Sequence, residues 1–290
     1  MNPAPNIDRQ LGFTLIELLV ALGIFLLITG AAFTLLSSSQ QRYQTESQVL
    51  SSFQEGRLGL DQMVRDINDA GFPPPSFFSA GAPANSAISP FAWSAGAGYP
   101  GAPCQIGTAG GGTCTTGTAG ISSPGDFDLI IETNPTPQDP TCTPNCVQWI
   151  RYQLGGPNGT TLMRGMFPKG TNTDPDTTMS GGVLGPFVEN VVNNVCPPQI
   201  PQCQAAYPGI FGGGPVPIFQ YTCDTPSVSQ SLPLPTAPCL LPPAPSDNSP
   251  ANIRDVAITL IVAAPLPDAK TGQVRLVMLN GRGRRINPNL

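Results

Sequence analysis

The sequence predicts an α+β fold: one long N-terminal helix, transmembrane in its first half and amphipathic in its second, packed on an antiparallel β-sheet with disulfide-held loops. Three observations carry this expectation. Residues 13–36 are apolar apart from Thr14, Glu17, Gly23, Thr29, Gly30 and Thr34. Apolar residues then recur at helical spacing as far as Ile67. Beyond residue 125, short runs of β-branched and aromatic residues alternate with Gly- and Pro-rich turns.

The apolar run comes first. At about 1.5 Å per residue it makes a helix roughly 36 Å long, enough to cross a hydrocarbon layer of roughly 30 Å. A secretory signal peptide has a shorter apolar core, about 7–15 residues, followed by a small-residue cleavage site. An uncleaved signal anchor and the buried helix of a soluble protein are the competing structures. The helical pattern continues past Leu36. Tyr43, Leu50, Phe53, Leu60, Val64 and Ile67 form one stripe, and Arg42, Glu46, Glu55, Asp61, Arg65 and Asp66 occupy the other faces. Gly71 supplies a stop, and Pro73, Pro74 and Pro75 cannot continue a helix. One helix from residue 13 to about residue 70 is therefore expected. Gly56 and Gly59 each cost about 1 kcal/mol relative to alanine inside it. They are expected to admit close contact with the sheet.

The organisation read from these segments is a polar N-terminal stretch (1–12), which the family resemblance given below makes a leader, a transmembrane half-helix (13–36), an amphipathic half-helix (37–71) and a β-rich head (72–290), extracytoplasmic on the same resemblance. Within the head, residues 72–125 form a long irregular excursion. Strands are expected at 126–132, 147–154, 160–164, 217–222, 253–263 and 273–280. The second and third flank Gly155-Gly156-Pro157-Asn158-Gly159 as a hairpin. Val256, Ile258, Leu260 and Val262 alternate onto one face of the fifth. These six segments suggest one sheet of five or six strands, covered on one face by the helix. Trp93, Trp149, Phe77, Phe78 and Phe91 are expected as core or loop-packing residues.

Composition narrows the chemistry. With 35 prolines, 32 glycines and 11% charged residues, the chain reads as long loops on a folded frame. There is no histidine, so Ser-His-Asp and Cys-His catalytic sites are excluded. No enzymatic constellation, cofactor or metal is expected. The net charge is −5 with no long basic run, so nucleic acid is not expected as a partner of the whole chain. Arg282, Arg284 and Arg285 form a small basic tail, read as a solvated terminus before a DNA contact. Asn172, Asp174 and Asp176 place oxygen side chains at alternate positions, read as a polar turn before a calcium loop.

Eight cysteines, Cys104, Cys114, Cys142, Cys146, Cys196, Cys203, Cys223 and Cys239, all lie in the head. An even number there suggests disulfides formed in an oxidising compartment. Zinc is the rival, but the spacings do not make two CxxC knuckles. Eight cysteines allow about 105 connectivities. Nearest-neighbour pairing (104–114, 142–146, 196–203, 223–239) is the working expectation.

Glu17 separates this helix from an ordinary anchor, because a carboxylate facing lipid at depth costs on the order of 2–3 kcal/mol. Its surroundings, Arg9-Gln10-Leu11-Gly12-Phe13-Thr14-Leu15-Ile16-Glu17-Leu18, closely resemble the type III signal of the type IV pilin family. The resemblance implies a prepilin peptidase and methyltransferase that cuts between Gly12 and Phe13 and N-methylates Phe13. It implies that Glu17 is the signature acid of subunit assembly. The leader departs from the family's more basic pattern, holding Asp8 beside Arg9. Residues 54–72, with Gly56-Arg57, Arg65-Asp66 and Ala70-Gly71-Phe72, resemble PilW-type minor pilins. The head segments around Tyr152, Met163, Asn190 and Ile258 resemble PilW-type heads and also GspJ-type minor pseudopilins of type II secretion. These resemblances imply a single-pass protein of the bacterial inner membrane with its head in the periplasm. It would enter a pilus or pseudopilus with other minor pilins and the major pilin. An adhesin or DNA-binding protein on a simple anchor is the contrasting expectation.

Overall fold

The computed structural model describes residues 12–75, 86–93, 123–136, 146–156, 158–169, 183–198, 200–224, 236–238, 249–268 and 271–286, together with Tyr99, Ile106, Cys114, Pro175 and Met179. Helix α1 runs over Leu15–Asn68, about 80 Å at the standard rise. Its last turn closes on the Asp69 N–H, which donates to Arg65 O at 3.1 Å. Gly71 then turns the chain at φ 82°, a left-handed conformation suited to glycine. The Gly71 N–H donates to Glu132 O at 2.9 Å, tying the end of the helix into the sheet.

The buried face of α1 comprises Gly56, Gly59, Leu60, Met63, Asp66 and Ile67. This corrects the predicted stripe at its start: Tyr43 is 75% and Leu50 57% exposed. A seven-residue spacing drifts by about 20° per repeat around a straight helix. The face that meets the head is centred on two glycines, which add nothing to a hydrophobic pattern.

Those glycines are half of a reciprocal fit between helix and head. A Cβ on Gly56 would meet Leu279 and Val262 at 3.0 and 3.2 Å, and one on Gly59 would clash with Val188. In return, Leu60 seats over Gly281 and Ile67 over Gly283. A Cβ on Gly283 would stand 2.5 and 2.6 Å from Ile67 Cγ2 and Cβ. The Cβ of Ile67 cannot swing aside. Gly283→Ala is therefore expected to destabilise the head by about 1–3 kcal/mol, the usual cost of overpacking, read as a lower denaturation midpoint.

Nine strands are described. The first sheet has the order β1-β2-β3-β4-β5 and comprises Phe91–Ala92, Asp128–Thr133, Gln148–Gly155, Thr161–Pro168 and Gly185–Val188. Two one-turn helices follow, α2 (Cys203–Ala206) and α3 (Pro208–Phe211). The second sheet has the order β7-β6-β8-β9 and uses Phe219–Asp224 (β6), Thr236–Pro238 (β7), Ile253–Ala263 (β8) and Leu276–Arg284 (β9). All named pairings are antiparallel. The six predicted strands are present with ends shifted by a few residues. The expected single sheet is instead two, and the unpredicted strands β1, β5 and β7 are too short to show a period.

Hydrogen bonds join the sheets where β6 stops covering β8. Residues 190–192 take over that edge: the Val192 N–H donates to Ile261 O, and the Ala263 N–H to Asn190 O, both at 2.9 Å. The Val191 N–H reaches back to Thr160 O at 2.8 Å. Buried Asn193 donates through Nδ2 to Val216 O and Thr259 O and accepts from the Ile261 N–H at 2.8 Å. All three contacts sit at the seam, so the amide is fully used.

The main core lies between α1 and the two sheets and includes Met63, Ile67, Trp149, Tyr152, Val256, Ile258, Leu260 and Val262. The alternation read in β8 is thus present. Phe91, Trp93 and Trp149 are buried as expected, while Phe77 and Phe78 lie outside the described residues. A second cluster gathers Val192, Cys203, Phe211, Ile261 and Val274, with Val49 of the helix against it. The disulfide Cys196–Cys203, with 5.4 Å between Cα atoms, closes this region. Cys114, Cys146 and Cys223 are also disulfide-bonded. Cys104, Cys142 and Cys239 lie outside the described residues, and so do the pairings expected with them. The alternating oxygens at Asn172, Asp174 and Asp176 also fall outside them.

Candidate assembly site

Gly12 and Phe13 lead into α1 ahead of its N-cap, Thr14, whose backbone is extended at φ −76° and ψ 149°. The Glu17 N–H donates to Thr14 Oγ1 at 3.4 Å. Glu17 Oε2 accepts in return from the Thr14 N–H at 3.5 Å and its hydroxyl at 3.4 Å. This reciprocal box satisfies helix-end donors that have no partner within the helix. It also places a carboxylate at the positive end of the helix dipole. Sequence reasoning missed Thr14 as a site residue, although the Thr-x-x-Glu spacing was visible.

No residue of the apolar run is buried. Phe13 is 86% exposed, and the large side chains through Leu36 are exposed with it. The segment is long and apolar enough to cross a membrane, and none of its most apolar stretch is covered by the head. That removes the buried-core alternative. The hydroxyls inside the run bond to the helix's own carbonyls, Thr29 to Phe25 O at 2.7 Å and Thr34 to Ala31 O at 2.8 Å. Glu17 is its one charged residue.

At the other end, Asp66 fastens the helix to the first sheet. Tyr152 donates its hydroxyl to Asp66 Oδ2 at 2.5 Å, and Arg164 pairs with the same oxygen at 2.8 Å. Gln62 donates to Oδ1 at 2.7 Å. Burial, and then the Asp66 charge, push the Tyr152 phenol well above its ordinary range, so it serves as a donor. One turn on, burial and then Asp66 raise the Asp69 carboxyl. An acid raised on folding costs stability as pH climbs through its unfolded pKa towards its folded one. Asp69 also sits at the negative end of the helix dipole. Asp69→Asn should therefore stabilise the protein at neutral pH, by about 0.3–1 kcal/mol from the helix-end effect alone. The advantage should vanish below roughly pH 4, as melting curves at the two pH values would show.

The basic tail is not a free cluster. Arg285 pairs with Asp224 at 2.9 Å, Arg282 with Asp255 at 2.8 Å, and Arg284 lies 3.9 Å from Asp255. Arg254 also pairs with Asp224, at 3.0 Å. Arg285 is buried. These arginines hold the end of β9 against β6 and β8. This corrects the reading of a solvated terminus at Arg285, whose partner distant in sequence reaches it only on folding, while Arg282 and Arg284 stay 61% and 58% exposed beside Asp255.

Among known families, the prokaryotic N-terminal methylation motif matches residues 7–33. The match supports a type IV prepilin-like protein. The matched span contains Gly12, Phe13, the Thr14–Glu17 box and most of the apolar run. The motif implies processing by a prepilin peptidase and assembly with other pilins, and a structural role for the chain. No curated protein and no solved structure matches this prepilin-like chain.

Proposed function

We propose that the protein is a minor pilin of the PilW type. The leader, residues 1–12, is removed between Gly12 and Phe13, and Phe13 is N-methylated. The mature chain waits in the bacterial inner membrane on residues 13–36, with residues 37–71 and the head (72–290) in the periplasm. It then joins or primes a type IV pilus. The observation that carries this reading is an uncovered apolar half-helix whose one charged residue, Glu17, lies in its first turn. Packing beside a second such helix buries that surface, and a new ammonium at Phe13 supplies a counter-charge for a neighbour's Glu17.

Mass spectrometry of the mature N-terminus from native membranes tests the processing. A chain beginning at methylated Phe13 is expected. An intact Met1, or a cut near Ala31, would leave an anchored or secreted protein with a coincidental motif. Recovery from sheared pili supports the PilW-type assignment. Recovery only with a type II secretion pseudopilus would make the chain GspJ-like.

A further inference from the structure

The strand edges of the head are treated unequally. β1 has two residues and follows Pro90, β5 has four and contains Pro186, and β7 has three and ends in Pro238. Short length and proline are the ordinary devices that stop a strand from pairing with another chain. The fourth edge, β9, has nine residues and no proline. Its register with β8 pairs Asp255 with Arg284 through Ala263 with Leu276. The Arg285 N–H donates to Arg254 O and the Ala264 N–H to Arg275 O. That phase turns the odd-numbered backbone groups of β9 towards β8 and the even-numbered ones outward.

Of the outward N–H groups, that of Arg284 is taken by Asn68 Oδ1 at 2.8 Å. Those of Leu276, Met278, Asn280 and Arg282 have no partner among the described residues. They span roughly 20 Å at the usual strand rise. The side chains of this face are open to solvent, with Met278 41% and Arg282 61% exposed. Arg282 and Arg284 share the single carboxylate of Asp255, which leaves the upper end of the edge positive in a chain of net charge −5.

We propose that β9 receives an extended segment of a neighbouring pilin-like subunit, adding a strand to the second sheet. The segment carries an acidic side chain level with Arg282 and an apolar one level with Met278. Main-chain hydrogen bonds supply the attachment, and those two positions supply the selection. The proposal rests on the reading of the chain as a filament subunit, but it concerns a different surface from the apolar helix.

The test uses the full chain in its native membrane, with a photo-crosslinking residue at position 280 and a control at Thr259, on interior strand β8. Cross-links from position 280, mapped by mass spectrometry to one stretch of a second pilin-like subunit, are expected, with at least tenfold fewer from position 259. Asn280→Pro removes an outward N–H and the exposed side-chain bond accepted from the Thr259 hydroxyl at 3.2 Å, but no backbone bond of the β8 ladder. It should lower recovery in sheared filaments at least tenfold while the melting temperature stays near that of the unaltered chain. Met278→Lys, which needs no backbone change, should act in the same direction. Cross-links confined to this chain, or normal filament recovery of both variants, would overturn the edge proposal alone. Absence of the unaltered chain from every filament would overturn the proposed function, whatever position 280 contacts.

Discussion

Glu17→Ala should remove the protein from filaments while leaving the melting temperature of its head unchanged. The second half follows from position. Glu17 lies in the first turn of α1, and the buried face of that helix begins at Gly56, so no head contact is lost. The first half follows from charge. If cleavage leaves an ammonium at Phe13, that charge enters an apolar packing zone with the neighbouring helices. Removing one partner of a buried ion pair costs about 3–5 kcal/mol. At about 1.4 kcal/mol per factor of ten, this is at least a hundredfold in incorporation.

Glu17→Gln separates two roles of the residue. Glutamine can still accept from the Thr14 N–H and hydroxyl, so the capping box survives, but the charge does not. It is expected to fail almost as completely as alanine. Normal incorporation of Glu17→Gln would reduce Glu17 to a helix cap. Normal surface binding by Glu17→Ala, with no effect on filaments, would favour an adhesin or DNA-binding protein on a simple anchor. The readout is the amount of the chain in sheared filaments relative to membranes.

Lys169→Met is expected to cause the largest loss of stability in the head. Glu132 of β2 is fully buried and accepts from four donors: Lys169 Nζ, the Tyr99 hydroxyl, Trp149 Nε1 at 3.1 Å and the Ile88 N–H at 2.7 Å. Lys169 is as deeply buried and also donates to Ser86 O at 2.9 Å. The cluster thus fastens Ser86, Ile88 and Tyr99, which belong to the Pro- and Gly-rich excursion, to β2, β3 and the end of β4. Without the ammonium, a carboxylate is left charged in the core at a cost of about 3–5 kcal/mol. For a domain of this size that is roughly 10 °C in melting temperature. Adding Glu132→Gln to Lys169→Met removes the stranded charge and keeps one acceptor oxygen, enough for Tyr99 and Trp149 on the Oε2 side but not also for the Ile88 N–H on the Oε1 side, and should recover part of the loss. A Lys169→Met chain that melts like the unaltered one would show that the pair contributes nothing net.

The assembly end of this protein is legible in its sequence because every relevant interaction there is local. Gly12, Phe13, Thr14 and Glu17 lie within six consecutive residues, and an apolar run broken by one charge needs no partner to reveal its length. Strands were legible where they exceeded about five residues, enough for β8 to display its alternation and for the β3–β4 hairpin to show its turn. β5, with four residues, shows no period. The start of the packing stripe was misread at Tyr43 and Leu50 because helical spacing says which residues share a face, not which face the head will cover. That choice was made by Gly56 and Gly59, whose close contact with the sheet was expected from sequence, together with Gly281 and Gly283, whose value lies in absent atoms and appears only when two backbones approach.

The charges divide in the same way. Glu17 stands out in sequence because its neighbours are apolar, whereas Asp66, Glu132 and Asp255 look like ordinary acids. Their partners stand far along the chain: Arg164 and Tyr152 for Asp66, Lys169 and Tyr99 for Glu132, Arg282 and Arg284 for Asp255. Sequence alone determined that this chain has a motif-bearing apolar helix and a β-rich, disulfide-bonded head. Tertiary structure decided that the strands form two sheets, which helix face they accept, and which edge has no strand partner among the described residues. Burial and strand pairing are properties of distant segments brought together, and no local pattern encodes them.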